Sequence, residues 1–141
     1  MATKETDRYE WMRDTAQHLR HGELDLLDPV AMADWFDEVS NSDRREVHSR
    51  LRCIIEHRLK LDYVKGADLD RNRRGWDLTV TEQTAQLDSI FDESPSLRRH
   101  LTPELLAKAY ASVRCAVAKA YDVQPPEACP YTYGELIPDA A

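Results

Sequence analysis

The stretch CIIEHRLKLDY, residues 53–63, sets His57 and Lys60 three positions apart in a run otherwise rich in apolar side chains. On a helix that spacing puts both on one face. An imidazole can take up or hand on a proton near neutral pH, and an ammonium can hold an anion. If the helix that carries them pairs antiparallel with the next, hinged near Ala67, residue 57 comes roughly level with residue 77. Trp76 then lies beside His57, Arg74 approaches Lys60, and Gln83 lies two turns further along, opposite Leu51. His57, Lys60, Trp76, Gln83 and Arg74 therefore make up the candidate binding end, a ligand or general base beside a tryptophan platform. The competing reading is structural, and it is the one expected. It has His57 hydrogen-bonded to a backbone carbonyl or to Gln83, because buried polar groups usually find partners. Lys60 lays its alkyl stem over the bundle with its ammonium in water, near a helix C-terminus that favours a cation.

Two further clusters carry charge. Arg58, Lys60, Lys65, Arg71, Arg73 and Arg74 crowd one end, where a helix N-terminus could hold an anion, but Asp62, Asp68 and Asp70 interleave and predict a salt-bridged loop. Asp34, Asp37 and Glu38 precede the turn-like SNSD, and Arg45 and His48 follow it. A turn there would clamp Asp37 to Arg45. It would also bring together Asp34, Glu38 and His48, a weak candidate set for a divalent ion. The Glu-x-x-His repeats of di-iron bundles are absent, and the neighbours Glu56 and His57 point about 100° apart, so they cannot share a metal. No serine elbow, Cys-His signature or zinc motif is present. No cofactor is expected, and catalysis is not the favoured reading.

Twenty-six acidic against nineteen basic side chains give a formal charge of −7, which argues against generic binding to nucleic acid or anionic membrane. The three cysteines, Cys53, Cys115 and Cys129, lack disulfide or zinc spacing and predict free thiols, with Cys53 and Cys115 as small core residues. The N-terminus lacks the apolar stretch of a signal peptide, and no later run is apolar enough to span a bilayer. A cytoplasmic location is the expectation.

The elements that must position these residues read as helices. Only four glycines occur, and the seven prolines sit at segment edges. A first helix from about Asp7 to His21 carries Tyr9, Met12, Ala16 and Leu19 on one stripe and stops at Gly22. Asp28 and Pro29 open a second, with Val30, Ala33, Phe36 or Trp35, and Val39 at helical spacing. SNSD separates it from a third, Asp43 to Tyr63, whose Val47, Leu51, Ile54 or Ile55, and Leu59 form the best amphipathic stripe. KGADLDRNRRG is expected as the longest loop. Trp76, Val80, Gln83, Leu87 and Ile90 or Phe91 mark a fourth helix ending near DESPS. Thr102, Pro103 and Glu104 open a fifth that continues to about Tyr121. The proline-rich remainder, with Tyr131, Tyr133, Leu136 and Ile137, predicts an ordered tail packed on the bundle. Short connections imply antiparallel neighbours. The expected fold is all-α: an antiparallel up-and-down bundle of four to five helices with an ordered C-terminal tail, in one domain over residues 1–141.

SDRREV, HRLKL, RGWDLTVTEQ, SPSL and CPYTYGEL occur in an order and spacing that resembles the bacterial family called domain of unknown function 29. The resemblance covers about residues 7 to 137. It implies an all-helical domain and transfers no activity.

These features favour a non-catalytic protein-interaction or regulatory module, with a protein partner or a second copy of the chain. The alternative is a small-molecule, anion or metal binder, or an enzyme, working at the polar end around His57 and Trp76.

Overall fold

In the computed structural model, residues 1–138 are described, so the last three residues of the expected domain lie outside that range. Helix accounts for 78% of the chain and no strand occurs among the described residues, which makes the fold all-α. Five α-helices follow in order: α1 Arg8–Arg20, α2 Pro29–Tyr63, α3 Ala67–Glu93, α4 Pro103–Tyr121 and the short α5 Tyr133–Leu136. A 3-10 turn at Leu24–Leu26 joins α1 to α2, and a 3-10 segment at Pro95–His100 joins α3 to α4.

The starts and stops follow from local chemistry. The Asp7 carboxylate accepts from the Glu10 amide at 3.0 Å and caps α1. Asp28 does the same for α2 through Ala31 at 3.1 Å. The Thr102 hydroxyl accepts from Leu105 at 3.1 Å, with Pro103 in the first turn of α4. Such caps each contribute about 1 kcal/mol. Gly22, at φ +69°, ends the first helical segment in a conformation that favours glycine.

Two boundaries differ from expectation. SNSD does not break the chain: residues 29–63 form one 35-residue helix. None of Ser40, Asn41, Ser42 and Asp43 is Gly or Pro, and the Ser40 hydroxyl donates back to the Asp37 carbonyl at 3.0 Å within the helix. The expected loop 65–75 is also helical from Ala67 onward. Gly66, at φ +73°, makes the whole reversal, and Asp68 and Asp70 suit the positive end of α3. Arg71 pairs with Asp68 at 2.7 Å, and the Asn72 amide donates to the Asp68 carbonyl at 2.8 Å, so the charged run is spent inside a helical turn.

The chain divides into two compact units, Met1–Ser42 and Asp43–Ala141, and α2 contributes to both. In the first, α1 buries Trp11, while Tyr9 and Leu19 of the expected stripe are 70% and 45% exposed. Val30, Phe36 and Val39 of α2 are exposed as well. In the second unit α2, α3 and α4 run up, down and up. Arg50 of α2 meets Gln83 of α3, as an antiparallel pair hinged at Gly66 requires. Arg52 meets Ser112 and Lys60 meets Tyr121, which sets α4 parallel to α2.

Val47, Leu51, Ile54, Ile55 and Leu59 of α2 are essentially inaccessible and pack with Leu87 and Phe91 of α3 and Ala109, Tyr110, Val113 and Val117 of α4. Truncating any of the leucines or isoleucines to alanine would cost about 2–5 kcal/mol. Tyr131, Leu136 and Ile137 close the same core, so the tail is ordered as expected. Polar bonds pin it: Tyr110 donates to the Pro126 carbonyl, Tyr133 to the Thr102 carbonyl at 2.7 Å, and Tyr131 to Asp62 at 2.5 Å. Arg114 Nε also donates to the Pro125 and Pro126 carbonyls.

All three cysteines are free. Cys53 is half-buried, but Cys115 is exposed, contrary to its expected place in the core. It lies two residues from both Val113 and Val117, which turns it about 200° away from that buried stripe.

Candidate functional site

The C-terminal turns of α2 carry the pair that opened the question. His57 Nδ1 lies 2.8 Å from the carbonyl oxygen of Cys53, one turn back. A carbonyl only accepts, so Nδ1 carries the hydrogen and donates it there. The ring also lies 3.8 Å from Glu56, and burial pushes the neighbouring Cys53 thiol pKa up.

Lys60 is held differently. Its ammonium is 3.7 Å from Glu56 and stands 5.6 Å and 5.8 Å from the ring centres of Trp76 and Tyr121. Those two rings meet edge to face, 5.8 Å apart at 83°. The Lys60 side chain is only 15% exposed, so the charge rests over aromatic faces instead of standing free in water. Trp76 itself is buried with Val64 and Leu69 in a small second cluster that also draws in Leu61 and Tyr121. Two negative ring faces and one carboxylate satisfy one cation. Nothing in that arrangement requires an anion from outside.

The remaining candidates lie apart from this pair. Gln83 accepts from Arg50 at 3.1 Å, and Arg50 is held in turn by Glu46 at 2.9 Å. Arg74 is exposed and belongs to none of these contacts. The turn that was to gather Asp34, Glu38 and His48 is absent. Asp34 and His48 stand fourteen positions apart on the one helix, and Glu38 is taken up by Lys4 at 2.9 Å. The Asp37–Arg45 clamp loses its turn in the same way. Among the described residues, no group of three or more His, Cys, Asp or Glu side chains is placed to hold a metal.

A different surface stands out in the first unit. A groove of about 210 Å³ is lined by Trp11, Met12, Thr15, Ala16 and Leu19 of α1 and by Met32, Trp35 and Phe36 of α2. Phe36 is 64% exposed there, and Arg8 covers the Trp35 ring at 5.3 Å. The sequence did carry a signal for part of it: Met12, Ala16 and Leu19 of the first expected stripe and Phe36 or Trp35 of the second line the groove, whereas Val30 and Val39 do not. Periodicity marks an apolar face without saying whether the chain itself covers it.

No helix among the described residues is long and apolar enough to cross a membrane. No curated protein and no solved structure matches the chain. A family's sequence pattern does match, over residues 4–140, and it spans the motifs from SDRREV to CPYTYGEL. By that match, the chain belongs to the family described as Domain of unknown function DUF29.

Proposed function

We propose that this protein is a non-catalytic interaction module that docks a protein partner through the apolar groove of its first forty-two residues. One observation carries the reading: Phe36 and Leu19 line the groove while 64% and 45% exposed, with two tryptophans and two methionines beside them. Aromatic and methionine side chains are the types enriched where proteins meet. Covering one exposed phenylalanine is worth about 1.5–3 kcal/mol, so a few such contacts suffice for a specific complex. The polar end of α2 supports the same reading from the other side. His57 donates to its own helix and Lys60 is held by Glu56, Trp76 and Tyr121, so both heads already have partners within the chain.

The test is quantitative capture by the immobilised chain against Phe36→Asp and Leu19→Asp, with circular dichroism confirming that both variants keep their helices. A partner retained by the natural chain and lost from both variants supports the groove. A partner retained equally by all three removes it.

A further inference from the structure

We propose that the seam between α2 and α4 formed by His48, Arg52, Lys108 and Ser112 is a binding site for a phosphate-type oxyanion. It lies wholly in the second unit and is independent of the groove.

The geometry gives the reason. In the parallel α2–α4 pair, Arg52 Nη2 donates to Ser112 Oγ at 3.0 Å. His48 stands one turn before Arg52, and Lys108 one turn before Ser112, so a second rung of the same ladder sets an imidazole on one side and an ammonium on the other. None of the ion pairs among the described residues involves Arg52, Lys108 or His48. His48 adds a second observation. Its Nε2 atom is buried and has no hydrogen-bond partner. A buried polar atom left unmatched costs about 1–3 kcal/mol and calls for an explanation.

Burial, and after it the charges of Arg52 and Lys108, push the His48 pKa below its ordinary value. That field repels a divalent cation, so His48 sits where a metal is disfavoured and an anion is drawn in. Guanidinium, ammonium, hydroxyl and imidazole together supply more donors than the flat pair of a carboxylate can use, which suits the several oxygens of a phosphate. Arg52, Lys108 and Ser112 are exposed, so the ligand enters from solvent, as free phosphate or as a phosphate monoester.

The experiment follows the His48 ring nitrogens of the full chain by NMR, titrating sodium phosphate or phenyl phosphate against sodium chloride at constant ionic strength. The site predicts a saturable shift of His48 Nε2 with phosphate and not with chloride, and a rise of about one unit in the His48 pKa on saturation. Arg52→Gln and Lys108→Gln should each weaken binding about tenfold, as loss of a charge-assisted hydrogen bond implies. Both positions are exposed, and circular dichroism checks their fold. Tighter binding of phenyl phosphate assigns a monoester, and tighter binding of inorganic phosphate assigns the free ion. A His48 signal that responds to phosphate no more than to chloride overturns the proposal, as does an affinity in both variants unchanged from that of the natural chain.

Discussion

The Lys60 ammonium stands 5.6 Å from the centre of the Trp76 ring, close enough for the indole face to hold it. Tyr121 closes the other side at 5.8 Å, and Glu56 stands one helical turn back. Trp76 joins this cation to the small cluster of Val64 and Leu69, so it secures the reversal between α2 and α3. Trp76→Ala should lower stability by about 3–5 kcal/mol in urea melts, the range for a buried aromatic. Lys60→Met keeps the stem and removes the charge, and should cost only about 0.5–1 kcal/mol. A Trp76→Ala change below about 0.5 kcal/mol would put that ring outside the core.

Thiol chemistry separates the three cysteines. Cys115 is exposed, whereas Cys53 and Cys129 are half-buried and their pKa values are pushed up chiefly by burial. A thiolate is the reactive form, so one thiol per chain should react quickly with a maleimide and two slowly. In Cys115→Ser only the slow phase should remain, read by mass spectrometry against time.

The tail gives the fold an alkaline limit. Burial, above all, pushes the Tyr133 pKa up to about 12, and Tyr110 and Tyr131 are raised as well, Tyr131 also by its bond to Asp62. A phenol whose folded pKa is raised stabilises the fold fully below its unfolded value near 10 and loses that contribution as pH climbs toward the folded value. Urea midpoints should therefore fall between about pH 10 and 12, and a tyrosinate absorbance step should accompany unfolding in that window. Tyr131→Phe removes the bond to Asp62 and should cost about 1 kcal/mol at neutral pH.

Much of this architecture is legible in the residues, for reasons that also explain what is not. Asp28–Pro29, Thr102–Pro103 and Gly22 are strong signals because each supplies a hydrogen bond, a fixed φ or an available positive φ that a helix end requires. SNSD is a weaker one. Serine and asparagine only compete with a helix, and here the helix runs through them, with the Ser40 hydroxyl donating back to the Asp37 carbonyl. The charged run 67–75 lacks apolar periodicity, yet its Asp–Arg and Asn–carbonyl pairs hold a helical turn. Helical spacing put Tyr9 on the buried stripe of α1, whereas Trp11 is the residue buried and Tyr9 is exposed, since the choice depends on what the face meets. The hinge near residue 67 set Trp76 beside His57 and Arg74 beside Lys60, whereas the ring stands one turn further along, under Lys60. Tyr121, which completes that contact, comes from α4, whose parallel course beside α2 no local pattern announces.

The most direct measurement of the central claim is site-specific photo-crosslinking in the protein's own host cells. A photoreactive residue replaces Phe36 in the groove or Arg74 near the polar end of α2, each in the full chain. The account predicts a discrete covalent adduct with one protein at position 36, abolished by Met32→Asp, and none at position 74. Adducts at position 74 with none at position 36 would contradict it.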